Sequence, residues 1–233
     1  MIWLAGENGF KSRWCVVLQN VETGELRARI SPSFAGLLAL AEEPALVAID
    51  FPIGLPEVTR AGGRACERQA RRLLGRRASS VFSAVGRVAL EAGSRAEADY
   101  LSRAVGGLGI GAQAWGLAAK LREADAAMTA ERQDLLREVH PEVTFWAMNG
   151  RAPLPFGKKS AAGTSARMDL LEEQGFPAAF IRQLPAGLRV GRDDFLDACA
   201  ALWTARRISA GLAERLPEQL DRNGRGLDQA IWF

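Results

Sequence analysis

The sequence predicts an α/β fold: a mixed sheet, an antiparallel three-strand meander followed by parallel strands, flanked by helices, with a helical insertion after the fourth strand. Three observations lead there. Short β-patterned runs alternate with turn-rich segments over the first 30 residues. A continuous apolar run, residues 45–49, stops at Asp50. No strand pattern appears between residues 57 and 128. At 233 residues, one elaborated domain spanning 1–233 holds all of this, with residues 57–130 as the helical insertion.

Taken in order, residues 2–5, 13–19 and 25–30 read as strands, and the glycine-bearing segments 6–9 and 20–24 as the turns between them. A helix over residues 33–42 follows, started by Ser31-Pro32-Ser33, with Phe34, Leu37, Leu38 and Ala41 as its apolar stripe. The unalternating run 45–49 is then a central strand buried on both faces, because Phe51-Pro52 and Leu55-Pro56 forbid its continuation. That leaves the Asp50 carboxylate at the carboxyl edge of a core strand. Ligands bind at that edge of open α/β sheets, where the departing loops diverge. The competing role for Asp50 is a turn cap.

Beyond residue 57 the pattern is helical: residues 64–74, 95–105 and a long helix over 113–128, before a strand at 135–139. The glycine run 106–111 is a loop, since its spacing is not that of a dinucleotide fingerprint and a helix precedes it. His140, the only histidine, and Glu142 flank Pro141 at a strand-to-helix junction, with Glu138 two residues before. They share with Asp50 the carboxyl edge of the sheet. Capping and dipole complementation are their alternative jobs. Lys158-Lys159 fail the phosphate-loop spacing but remain able to meet phosphate as point charges. A last helix over residues 193–208 places Phe195, Leu196, Cys199, Leu202 and Trp203 on one face, and Asp193, Asp194 and Asp197 among alanines on the other.

Composition narrows the class. No apolar run reaches the ~20 residues of a membrane span, no basic leader opens the chain, and three scattered cysteines fit neither a disulfide framework nor a zinc knuckle. A reducing cytoplasm is the expected location. The net charge is +3, and residues 60–87 concentrate eight Arg against Glu67 alone, an expected contact surface for an anionic partner.

The element order resembles the RNase H fold, in which a meander is followed by a crossover helix and a fourth strand beside the first. Further motifs sharpen the resemblance: Ala-Gly-Glu-Asn-Gly at 5–9 ahead of Trp14, Ile-Asp-Phe-Pro-Ile-Gly-Leu-Pro at 49–56, the basic stretch 64–71 through Ser-Ser-Val-Phe at 79–82, Glu-Val-His-Pro-Glu at 138–142, Lys158 and Lys159 with Gly163 and Arg167, and Asp-Asp-Phe-Leu-Asp-Ala at 193–198. Together they resemble the domain-of-unknown-function family 429, whose members are described as predicted nucleases of the RNase H fold.

That resemblance implies phosphodiester hydrolysis by carboxylate-bound Mg²⁺ or Mn²⁺ acting on nucleic acid. It implies ligands at Asp50, Asp197 and Asp194, with Glu138 or Glu142 adding another. His140 and Lys159 then contact substrate, and Arg64, Arg68, Arg71, Lys158 and Arg167 belong to the substrate-binding surface. The family commonly carries Asp where this chain has Asn8, whose uncharged amide oxygen binds Mg²⁺ weakly. Glu7 is the other candidate on that strand, but adjacent strand residues face opposite ways, so only one of the two meets Asp50 unless the strand bulges. The alternatives are a nucleic-acid-binding protein of the same fold that has lost catalysis, and a small-molecule phosphate hydrolase.

Overall fold

A computed structural model describes all residues, 1–233. The chain runs β1 (Trp3–Phe10), β2 (Arg13–Asn20), β3 (Leu26–Ser31), α1 (Phe34–Leu38) and β4 (Leu46–Asp50), then α2 (Ala65–Leu74), α3 (Arg87–Leu90), α4 (Arg95–Ala104), α5 (Ala112–Trp115), α6 (Ala118–Ala127) and α7 (Ala130–Leu135). It continues with β5 (Leu136–Glu138), α8 (Pro141–Met148), α9 (Ala161–Glu173), α10 (Ala178–Arg182), α11 (Arg192–Ser209), β6 (Arg215–Leu216) and β7 (Ile231–Trp232). Five strands form one mixed sheet in the order β3-β2-β1-β4-β5, antiparallel through the meander and parallel from β1 to β4 and from β4 to β5. β6 and β7 pair as a separate small ribbon. No helix is long and apolar enough to cross a membrane.

The sheet separates two apolar layers by the two-residue period of its strands. Trp3, Ala5, Val16, Leu18, Val47 and Ile49 point to the side covered by α1 and the helical segment after β4. Leu4, Phe10, Cys15, Val17, Leu46 and Ala48 point to the side covered by α11, with α9 and α10 packed beyond it. Central β4 therefore needs apolar residues throughout, and its unalternating sequence supplies them.

Several expectations need correction. Residues 6–9 are not a turn: β1 continues through them to Phe10, and the hairpin reverses at Lys11, which adopts φ 45°. Gly6 is required for a different reason, since a Cβ there would sit 2.0 Å from the Leu202 nitrogen of α11. Helix α1 ends at Leu38, ahead of Glu43 at φ 45° and Pro44, where the chain turns into β4. The long helix expected over 113–128 is two helices broken at Gly116, a poor helix former. The strand expected over 135–139 covers Leu136–Glu138, because Leu135 closes α7.

Helix α11 is not amphipathic in the expected sense. Every residue from Phe195 through Ala205 is buried, Asp197 included. The helix lies on β1, β2 and β4 while α8 and α9 cover its outer side, so the alanines that surround the acids in sequence permit close approach to the sheet.

Candidate functional site

Asp50 closes β4 directly opposite Asn8 of β1 in the parallel register. Strand parity puts both on the α11 side of the sheet, with Leu46, Ala48, Leu4 and Phe10. The first turns of α11 then bring two more acids to the same place: the Asn8 amide donates to the Asp194 carboxylate at 3.1 Å, and Lys158 donates to Asp197 at 2.7 Å. Asp50, Asn8, Asp194, Asp197 and Lys158 thus form one cluster, drawn from two strands, a helix and the loop before α9.

The electrostatics follow from placing acids together in a partly dry site. Burial raises the Asp50 carboxyl well above its usual range, and the neighbouring Asp197 charge raises it further against the pull of Lys158. Burial pushes Asp197 up to about 6 although Lys158 opposes it. Asp194 is raised by burial and by Asp193 beside it. Burial works against a charged Lys158, yet Asp197 in contact and Asp50 beyond outweigh it and hold the ammonium above its ordinary value. No hydrogen bond contributes to the state of Asp50: its carboxylate is the uncommitted one of the cluster.

The loop that leaves Asp50 is fixed from the other face of the sheet. Glu138 accepts two bonds from Arg64, at 2.7 and 2.6 Å, and one from the Ile53 amide at 2.7 Å, while Arg64 also donates to Glu67 and to the Ile53 carbonyl. Phe51 packs edge-on against Trp14, ring centroids 5.1 Å apart. Gly54 turns the chain at φ 70° against the Asp228 carbonyl, which only a residue without Cβ permits. Asp50 is consequently a fixed group on a braced loop and not a mobile turn cap.

This bracing corrects part of the expected site. Glu138 pairs in register with Ile49, on the face away from Asp50's strand partner Asn8, and both its oxygens are taken by Arg64 and Ile53. Arg64 is 4% exposed and braces this loop, while also lining the cavity beside Asp50. Glu7 shares parity with Trp3 and Ala5, so it too faces away from Asn8 and Asp50, without any bulge. It is wholly buried, its carboxyl has no partner, and burial raises its pKa well above the usual range.

Other predicted residues are similarly committed. Arg167 is buried, donating to Glu142 and to the Gly163 carbonyl beside the Phe145 ring, and this pair borders the cluster through Asp197, whose pKa the Arg167 charge lowers and the Glu142 charge raises. Arg71 clasps Gly62, Val81 and Ser83. Arg68 is exposed but folds onto the Gly63 carbonyl, and Lys159 is exposed, its charge lowering the pKa of Asp194. Of the eight arginines over residues 60–87, Arg64, Arg68, Arg71, Arg77 and Arg87 are engaged with carboxylates or carbonyls, and Arg60, Arg68, Arg72 and Arg76 are exposed. No three acidic, histidine or cysteine side chains meet closely enough to form a metal-holding group.

His140 caps α8 through its backbone alone, with no side-chain capping bond. Its Nε2 lies 3.3 Å from the Ser80 carbonyl, its Nδ1 is buried without a partner, and burial lowers its pKa. It lines a cavity of about 260 Å³ that opens beside Asp50 and is walled also by Lys120, Gln113 and Phe82. Phe82 closes a stretch, 79–82, that belongs to the family resemblance, whereas no sequence pattern marked Gln113 or Lys120. The scarcity of lysine, four in the chain, was the one signal that would have singled out Lys120.

No curated protein and no solved structure matches the chain. The family model described as "Protein of unknown function (DUF429)" matches residues 8–222, nearly the whole chain, and the chain therefore belongs to that family.

Proposed function

We propose that the chain is an RNase H-like, divalent-cation-dependent phosphodiesterase acting on nucleic acid. The observation that carries this reading is the Asp50 carboxylate, uncommitted, opposite Asn8 and facing Asp197 and Asp194 of α11 at the carboxyl edge of two parallel strands. A parallel β1–β4 pair beside an antiparallel meander supports the RNase H-like assignment of the sheet.

Asp50, Asp194 and Asp197 do not converge on one point, so a hard cation would have to draw their carboxylates together, and the set suits one ion better than two. Glu138 and Glu7 are withdrawn by strand parity and by Arg64, which leaves Asp50, Asp194 and Asp197 as acids, with Asn8 free to offer its amide oxygen because its nitrogen serves Asp194. Hard cations take such oxygens and complete their shells with water. Lys158 already neutralises Asp197 where the acids crowd, as expected of a site with more carboxylate than it can keep ionised unaided. When bound, Mg²⁺ or Mn²⁺ would supply an acidified water and a counter-charge for phosphate.

The remaining work falls to the chain. Lys158 stands ready to move from Asp197 to a phosphate oxygen as a point charge. His140, whose pKa burial lowers, lines the cavity beside Asp50 and would contact substrate there. In the presence of Mn²⁺ the purified protein should cut DNA or RNA, and Asp50→Asn should abolish cutting; equal activity in the variant would refute the assignment. A second reading, a binding protein without catalysis, is favoured by Asn8 standing at a ligand position and by Lys158 occupying Asp197. It predicts binding that weakens steeply with salt but ignores divalent ions.

A further inference from the structure

The cavity beside Asp50 has a neighbour. A second cavity, of about 270 Å³, shares Phe82 and Gln113 with the first and adds the exposed Arg60. Phe82 is a large aromatic side chain 39% exposed, and Gln113 is exposed beside it. An exposed aromatic between two cavities, next to a side-chain amide, offers a planar apolar face and hydrogen-bonding groups together. The first cavity also has a cation on its wall: the Lys120 ammonium donates to the Arg13 carbonyl at 2.7 Å and lies 4.3 Å from the Trp14 ring centroid. Burial lowers its pKa to about 8.

We propose that the two cavities flanking Phe82 and Gln113 receive consecutive unpaired nucleotides of a single strand, with Asp50 at one end of the run and Arg60 at the other. The proposal rests on the phosphodiesterase reading and names the form of its substrate. Each cavity is below the ~300–1,000 Å³ of drug-sized sites, so each takes a ring system and neither takes a duplex, whose stacked bases hide their faces. Aromatic stacking accepts every base, and Arg60 and Lys120 supply the charge that tracks the backbone. The contact between His140 and the Ser80 carbonyl, 3.3 Å, ties the turn carrying Phe82 to the sheet edge that carries Asp50.

The test is binding, measured by fluorescence anisotropy in EDTA so that no cleavage intervenes. A labelled single-stranded tetranucleotide should bind at least tenfold tighter than the same bases locked in a hairpin duplex, and ribose 5-phosphate should not compete. Phe82→Ala should weaken the tetranucleotide about tenfold while Phe82→Trp restores it; Phe82 is exposed, so its loss leaves the fold intact, as circular dichroism will show. Equal affinity for strand and duplex, competition by ribose 5-phosphate, or an unchanged Phe82→Ala would overturn the proposal. Single-strand binding with no cutting in Mn²⁺ would keep this inference and remove the hydrolytic reading. Cutting of duplex by Phe82→Ala at the wild-type rate would do the reverse.

Discussion

Replacing Gly6 with alanine sets a methyl carbon 2.0 Å from the Leu202 nitrogen, 2.4 Å from the Ala198 carbonyl oxygen and 2.6 Å from the Leu202 Cα. All three are backbone atoms of α11, so no rotamer change relieves the clash. Restoring ordinary contact requires α11 to retreat from β1 by about 1.4 Å. The helix has nowhere to go cheaply, because Phe195, Leu196, Cys199 and Leu202 are all buried against the sheet and the outer helices. Overpacking a core costs about 1–3 kcal/mol and sometimes more, and a clash against main chain belongs at the upper end, ~3 kcal/mol. For a chain of this length that is a fall in melting temperature of roughly 6–12 °C. Urea unfolding followed by tryptophan fluorescence should show a lower midpoint at unchanged slope. A loss below about 1 kcal/mol would refute the close-packed account of β1 and α11, and with it the reason Asp194 and Asp197 stand beside Asn8.

Breaking the brace beneath Asp50 by Arg64→Met leaves Glu138 and Glu67 buried without their cation, and should cost ~3–5 kcal/mol, with part recovered in Arg64→Met/Glu138→Met. Chemical denaturation checks this, and a loss under ~1 kcal/mol would show that the brace is dispensable. The pH dependence has a definite sign. Asp197 titrates at about 6 in the folded state, above its unfolded value, so its contribution is fully present below the unfolded pKa and is lost as pH rises through about 6. In EDTA, therefore, thermal stability should fall between about pH 4 and pH 6 from this group. Asp50, also raised, should make Asp50→Asn more stable than wild type at pH 7 without metal. A variant less stable than wild type there would contradict the carboxylate crowding. Glu7→Gln should likewise be neutral or stabilising at pH 7, since burial already disfavours the Glu7 charge; a melting temperature that drops would show an ionised Glu7 with a role of its own.

The sheet was legible because a central strand must be apolar on both faces, and Pro52 fixed where it stopped. Asp50 could be placed at the sheet edge from those residues alone. Asp197 also surfaced, as an acid one turn too deep for capping, though its burial depended on the closeness of α11 to β1. That closeness is written in Gly6, which reads as a turn residue in sequence because nothing local distinguishes a glycine that bends a strand from one that admits a helix. Glu7 and Asn8 illustrate a second limit. Their opposite faces were foreseeable, but which one faced Asp50 hung on the parallel register, a long-range choice.

The basic stretch was legible only in part, for another reason. Counting Arg over residues 60–87 reports charge, but Arg64 faces inward to Glu138, a partner 74 residues away that no periodicity connects to it. Buried guanidinium groups follow carboxylates supplied by the fold. The cavity around Phe82, Gln113 and Lys120 was invisible for the same cause, being assembled from segments with no motif in common.

The proposed divalent-cation site of Asp50, Asn8, Asp194 and Asp197 is tested most directly by Mn²⁺ titration in a calorimeter at pH 6. The wild-type protein should show a saturable site accompanied by fractional proton release, because Asp197, pushed up to about 6, is still partly protonated at that pH and must surrender the proton to the metal. Asp50→Asn should remove that site. Identical isotherms for the two proteins, or no binding by wild type, would contradict it.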